Sequence, residues 1–521
     1  MHRNRNMVWI YPLLMGLLIV ALALAGCGLA AEEAPDQETA PGEEDGRTGI
    51  LRVAAQPISQ TDPALITSEA EVLVASHIYD YLVDIDAANE IRPRLATEWT
   101  ISEDGRIYTF TLAEGVLFHD GTPLRPEDVV WTFDRLRDPE LGLPTADLYG
   151  NIDTIQVTGE RQVTFTLQEP NPFFLYDLSD NHALILQEGA EDAATRMNGT
   201  GPFVVVDYRP EDRMLLQAND AYFMPDQPQV AELEIIFFAD DAAAADALRG
   251  GQVDLRMNLS VADYEALRAQ PDLVPVEVPT NRFTVIRIRT DRAPGDDERV
   301  VRALRLATDR QALFDLALQG YGSVGRDSPI GPLYEEYYAE DLPLSERDPE
   351  AARDLLAEAG YPDGLDMILY FPNILNNSDV ASVIQSQWAE AGINVQLQAE
   401  PESIYYGEGR WLDVDLGITG WGHRPYPQFY LDVMLRCDAV WNEAHFCDQE
   451  FDRLADIAGS TPDEAERIEA YAEIQRLLID RGPLIIPFFF PQLAVHSDAM
   501  EGFELNAFSG RTNLSIVSMN R

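Results

Sequence analysis

Between Asp348 and Thr419 the sequence alternates in a pattern that few architectures accept. In DPEAARDLLAEAG, Asp348 is placed to cap a helix, Pro349 suits its first position, and Gly360 stands just past its end. MILYF follows, then a helical segment from about Ser378 to Ala391, then INVQLQ and VDLGIT. Strand, helix, strand and a further strand predict a crossover sheet, and with it an α/β fold.

The rest of the chain reads as more of the same material. ILRVAA (50–55) is a strand, and SEAEVLVASHIYDYLV (68–83) has helical spacing through Val72, Ala75, Ile78, Tyr79 and Leu82. Asp104-Gly105 sits between two runs of β-formers and predicts a hairpin over 98–112. Pro126, Glu127 and Asp128 open a helix whose apolar face is Val129, Val130, Phe133 and Leu136. Strands flank a turn at 152–168, and a short helix ends at the glycines of 240–251. Around 275–290 one strand-rich block gives way to another. ERVVRALRLATDRQALFDLAL (298–318) predicts one long amphipathic helix, two more helices lie near 448–458 and 462–481, and PLIIPFFF (483–490) returns to strand.

The amino terminus is an address. Arg3 and Arg5 precede a long apolar run that ends in Leu24-Ala25-Gly26-Cys27. A basic end, an apolar core and small residues at a cleavage site make an export signal over 1–26. A membrane-spanning helix is the alternative reading of such a run. Residues 28–49 then hold seven acids, one arginine and almost no large apolar side chain, so they cannot bury enough surface to fold and read as an extended tether.

Composition excludes some functions. The formal charge is −52, from 37 bases, all arginine, against 89 acids. Such a surface cannot neutralise phosphates, which argues against nucleic acid. The lysine-free acidity fits either the bias of a GC-rich genome or adaptation to high salt. Cys437 and Cys447 lie ten positions apart in CDAVWNEAHFC. Outside the cytoplasm such a pair reads as a disulfide, worth about 2.7 kcal/mol in the chain-entropy model, with two buried free thiols as the alternative.

No catalytic constellation stands out. The seven histidines form no HExxH or other zinc spacing, and no GxSxG elbow or phosphate loop is present. His119 in FHDGTP reads as a loop hydrogen-bonder. A binding protein without metal or cofactor is expected rather than an enzyme. The densest candidate is TGWGHRPYPQFYL (419–431), which packs Trp421, His423, Arg424, Tyr426, Phe429 and Tyr430 between glycines and prolines.

The run RPRLATEWTISEDGRIYTFTLAEGVLFHDGTPLRPEDVVWTFDRL (92–136) resembles the signature region of extracellular solute-binding family 5, the binding proteins of oligopeptide, dipeptide and nickel ABC transporters. The likeness continues in NGTGPF, LRGGQVDL, RVVRALRLATDRQAL, ARDLLAEAGYPDG and WAEAGINVQLQ, and covers most of residues 50 to 495. Leu-Ala-Gly-Cys likewise resembles the bacterial lipobox, which implies that Cys27 is lipidated. The family resemblance implies a periplasmic-binding-protein type II-like fold, with two lobes, hinge strands and an extra subdomain in lobe one at about 62–195. Lobe one would span 50–279 and return over 488–521. Lobe two would span 280–487, with hinges near Pro279–Phe283 and Pro487–Phe490.

It also implies a Gly-Trp motif facing the ligand, which Trp421 matches. Peptide-binding members carry an aspartate soon after that tryptophan, which pairs with the peptide's ammonium. Here His423 and Arg424 follow, and the first acid is Asp432. An arginine in a cleft favours a carboxylate, while pairing of Arg424 with an internal acid and burial of the aromatics is the alternative. The candidate ligand-binding set is Trp421, His423, Arg424, Tyr426, Trp441 and Asn442, with Tyr430 as a further stacking surface. The expected protein is a monomeric, membrane-anchored extracytoplasmic lipoprotein that hands a peptide or peptide-like solute to an ABC permease and its ATPase. A receptor for an anionic solute, oligosaccharide or metal chelate, a sensory lipoprotein, and a secreted hydrolase are the competing readings.

Overall fold

The alternation read between Asp348 and Thr419 folds into parallel strands. In the computed structural model, Leu365–Pro372 pairs in parallel with Ile393–Glu400 along its length, Leu365 opposite Ile393 and Pro372 opposite Glu400. Helix Asn377–Ala389 makes the crossover and buries Val380, Ala381, Ile384 and Trp388. The Trp388 indole is satisfied by donating to Thr308 Oγ1 at 2.8 Å. Asp348 caps helix Pro349–Glu358 by accepting from the backbone of Glu350 and Ala351. The structure describes residues 47 and 49–520, apart from 144, 345, 375, 408 and 409. The export segment, Cys27 and residues 28–46 of the tether lie outside the described residues.

These strands are one end of a large mixed sheet. Its order runs Ile393–Glu400, Leu365–Pro372, Leu416–Trp421, Leu273–Ile288, Phe488–Ser497, Leu255–Arg256, Ile50–Ala55, Glu232–Phe237, Arg213–Ala218 and Phe203–Arg209. The two central strands are antiparallel, from Leu273 opposite Ser497 to Phe283 opposite Phe489, and their register slips between Pro279 and Phe283. Beyond the slip the long strand turns to a new neighbour, so that Phe283–Ile288 lies antiparallel to Leu416–Trp421. One strand therefore serves both halves of the sheet.

Each half has its own core. One gathers side chains from Leu51 to Met257 and returns for Ala494 to Met519. Another surrounds Trp388 with side chains from Ile286 to Phe490. A third surrounds Phe283, Tyr430, Tyr471 and Phe489, and takes in Phe173 from the other half. A separate four-stranded sheet, in the order Ala96–Ile101, Ile107–Leu112, Gln162–Leu167, Ile152–Gly159, contains the hairpin turn at Gly105, whose φ of +67° suits glycine.

Two helices differ from the sequence reading. The helix expected over 298–318 is two, Glu298–Leu306 and Arg310–Leu318. Thr308 Oγ1 donates back to the Leu304 carbonyl, and Asp309 accepts from Ala312 N as a fresh N-cap, so local side-chain bonds win over helical continuity. The helix expected over 68–83 is Glu69–Ile78, because Tyr79 is extended and Tyr81 bridges to Leu184.

Glu71 ties that helix to the loop before it. Only 2% exposed, it accepts from the backbone N–H groups of Ser59, Gln60, Thr67 and Ser68 at 2.7–3.1 Å. Burial would raise its pKa, but these bonds and the Ser59 hydroxyl outweigh burial and hold it down at about 2. A depressed carboxylate contributes stability above its unfolded value of 4.5 and loses it as pH falls towards 2. Glu71→Gln is expected to cost about 2–3 kcal/mol at pH 7 in urea unfolding, since an amide offers one acceptor oxygen to several donors. The difference from wild type should shrink steadily below pH 4.5.

Candidate functional site

Strand Leu416–Trp421 ends where the central strand changes register, and its last residue is fixed from behind. Glu443, fully buried, accepts from Trp421 Nε1 at 3.0 Å, from Arg287 Nε at 3.1 Å and from the Thr419 hydroxyl. Arg287 also donates to the carbonyls of Val414 and Trp411. Gly417 leaves room for this network, since a Cβ there would stand 2.6 Å from the Tyr405 hydroxyl and 3.0 Å from the Arg287 guanidinium. Glu443 lies inside the loop that the Cys437–Cys447 disulfide closes. The same loop exposes Trp441 (40%), whose ring meets those of Trp421 at 6.0 Å and Phe429 at 6.5 Å.

The residues after Trp421 form an edge facing the other half. His423 is half-buried, and its Nδ1 accepts from Asn281 N at 3.2 Å. Burial first, then Arg424 and Arg282, push its pKa down to about 3. The ring is therefore neutral at physiological pH, and with Nδ1 accepting, its proton sits on Nε2. Arg424 donates to its neighbour's carbonyl and lies 4.5 Å above the Phe429 ring. Arg282, on the register slip itself, stacks 4.9 Å from the Phe490 ring and makes two long contacts, to Asn258 Oδ1 at 3.5 Å and to the Pro491 carbonyl at 3.4 Å.

Tyr426 reaches across. Its hydroxyl donates to Asp177 Oδ1 at 2.6 Å, and its ring stacks on Phe173 with centroids 4.8 Å apart and planes within 10°. Asn89 Nδ2 donates to the Pro425 carbonyl at 2.6 Å alongside. Beyond Asp177 lies Asp180, paired with His182. The two ring nitrogens of His182 face Asp180 Oδ1 at 2.7 Å and the Ile66 carbonyl at 2.9 Å. Both contacts are hydrogen bonds when both nitrogens donate, an arrangement that favours the imidazolium. Burial alone would lower its pKa, but the hydrogen bond and charge of Asp180 raise it.

The sequence-derived set is thus partly assembled. Trp421, His423, Arg424, Tyr426 and Trp441 share one edge. Asn442 does not join them, because its amide is consumed inside the disulfide loop by Arg436 O, Phe446 O and Phe446 N. Tyr430 is fully buried, with its hydroxyl within hydrogen-bond distance of Gly422 O and Asn281 O, so it is core rather than a stacking surface. Arg282, Asp177, Phe173 and Glu443 were not legible as site residues. No group of three or more His, Cys, Asp or Glu among the described residues is arranged to hold a metal ion.

A family model, Bacterial extracellular solute-binding proteins, family 5 Middle, matches residues 90–442. The chain belongs to this family. Di/tripeptide-binding protein 1 of Pseudomonas aeruginosa is 28% identical over 491 residues, covering 86% of this chain and 91% of that protein. Heme-binding protein A of Haemophilus influenzae is 26% identical over 511 residues, covering 90% and 92%. The solved ABC transporter substrate binding protein CtaP from Listeria monocytogenes matches with a TM-score of 0.81 at 22% identity, covering 91% of this chain and 100% of that one. The family is one of extracellular substrate-binding proteins with a two-lobed α/β fold, and solute binding rather than catalysis is its function. The edge described above is where the halves of this fold meet. No helix among the described residues is long and apolar enough to cross a membrane.

Asp177 is expected to make that meeting pH-sensitive. Burial pushes its carboxyl up to about 7, against the hydrogen bonds from Tyr426 and Asn171, which act to lower it. A carboxyl raised in the folded state contributes stability below its unfolded value of 3.8 and loses it as pH rises towards 7. Asp177→Asn keeps an acceptor for Tyr426 without the titration. Its unfolding temperature, measured from pH 4 to 8, is expected to gain steadily on that of wild type. Parallel curves would show that Asp177 does not titrate across this interval.

Proposed function

We propose that this protein is the extracytoplasmic receptor of an ABC importer, capturing a peptide or peptide-like solute between its lobes and presenting the closed form to the permease and its ATPase. The observation that carries the proposal is the seam at the register slip. There Tyr426, two residues beyond Arg424, meets the Phe173–His182 segment of the other lobe by stacking on Phe173 and donating to Asp177, while His423 is tied to Asn281 on the slip. Lobe one is taken as residues 50–279 and 488–521, with its extra subdomain at about 62–195, and lobe two as 280–487.

Closure is a two-state change biased by contacts made in one state. The Phe173–Tyr426 stack and the Tyr426–Asp177 bond join the lobes directly. A ligand that bridges the same surfaces adds to them and shifts the population towards the closed form. Lipidation of Cys27 and the acidic tether would hold the receptor, as a monomer, close to its permease and raise its effective concentration there. Di- and tripeptide-binding relatives support the peptide reading.

The test is native mass spectrometry of residues 48–521 purified without added ligand, followed by unfolding and identification of what is released. A bound peptide or peptide-like solute is the expected result. Chemical turnover of that solute by the purified protein would overturn the receptor reading. So would the absence of any released solute together with no thermal shift across a panel of di- and tripeptides.

A further inference from the structure

Charge accounting at the seam is lopsided. In a chain with a formal charge of −52, five carboxylates at or near the seam are already engaged. Asp177 accepts from Tyr426 and Asn171, Asp180 from His182, and Glu443 from Arg287 and Trp421. Asp432, the first acid after Trp421, accepts from Arg436 at 2.6 Å and from Gln428. Glu69 accepts from the Ser509 hydroxyl and meets Arg282 only through longer-range attraction.

The cations are in the opposite condition. Neither Arg282 nor Arg424 has a carboxylate within 4 Å among the described residues, and their contacts are carbonyls, one amide and two aromatic faces. Both stand close enough to His423 to depress its basicity. The neutral His423 ring carries Nε2–H as a further donor near both. Burial also lowers the pKa of Arg282 and the more distant Glu69 offsets this only in part, so an anion beside it would relieve the remaining cost.

Resting on the receptor reading above, we infer that the seam recognises its solute by a carboxylate, held by Arg282 and Arg424 with His423 Nε2–H near both, and requires no free amine. Planar guanidiniums suit this because each offers paired N–H donors matched to a carboxylate's two oxygens. Trp421, Phe429 and Trp441 border the same edge with ring centroids 6.0–6.5 Å apart, so the body of the solute next to its acid is apolar or aromatic. The acids that would attract an ammonium group there are engaged, and a peptide's amine is left facing cations.

Three probes separate the possibilities by calorimetry on the stripped and refolded protein: alanyl-phenylalanine, its N-acetyl form and its C-terminal amide. The two acids should bind within about threefold of each other, and the amide at least tenfold more weakly. Arg282→Gln and Arg424→Gln should each weaken the acids about tenfold and leave the amide unchanged, with unfolding temperatures reporting that the variants are folded. Equal binding of amide and acid by wild type, or loss of binding on acetylation, overturns the inference and leaves the receptor reading intact. If none of the three binds, the peptide part of that reading fails. The inference is then decided by the solute released on unfolding: an acid supports it, while a neutral or cationic solute, or none, overturns it.

Discussion

The antiparallel pairing of Leu273–Ile288 with Phe488–Ser497 holds the other elements in place. These two strands stand at the middle of the large sheet and join its two parts. A continuous ladder would make the sheet one stiff plate. The slip between Pro279 and Phe283 interrupts it, and Thr280 bridges the gap by donating to the Phe490 carbonyl at 2.6 Å. Asn281 is fully buried there with neither side-chain amide atom bonded among the described residues. A buried unpaired polar group costs roughly 1–3 kcal/mol, so this amide weakens the sheet at the slip. The same slip carries Arg282 and anchors His423 through the Asn281 backbone, which ties the slip to the edge that follows Trp421.

Behind that edge the structure is built to resist motion. Glu443 joins Arg287, Thr419 and Trp421 in one buried network, and buried charged networks of this kind are costly to break because a lone charge is left behind. The Cys437–Cys447 link shortens the loop that supplies Glu443. In the chain-entropy model so short a loop gains about 2.7 kcal/mol, and the practical result is a fixed indole at Trp421. On the proposed reading, a rigid wall on one lobe beside the slip would let closure change the distance between surfaces without changing the surfaces.

Much of the fold could be read from local chemistry. Asp348, Pro349 and Gly360 bracket a helix by rules that act within a few residues, and the strands around it alternate in a way tertiary contacts did not override. The single helix expected over 298–318 failed because a helical apolar pattern continues through Thr308 and Asp309, whose side chains nonetheless cap and back-bond. The site was legible only on one side. Trp421, His423, Arg424 and Tyr426 are neighbours in sequence, whereas Tyr426 meets Asp177 across 249 residues and His423 meets Asn281 across 142. Glu443 is one of 89 acids, so nothing in composition or spacing marks it. Tyr430 looked like its aromatic neighbours, but the helical turn at Gln428–Tyr430 points it inward while Phe429 stays at the surface.

Hydrogen exchange read by mass spectrometry tests most directly whether the seam is where this protein takes its solute. The comparison is between protein saturated with the solute it releases on unfolding and the same protein stripped and refolded without it. Slower exchange is expected in the saturated state at 173–182, 279–283 and 421–430 together, because one ligand and one closure protect all three. Protection confined to another surface, such as the depression beside Tyr337–Asp341 and Ala472, with those three segments unchanged, would contradict it.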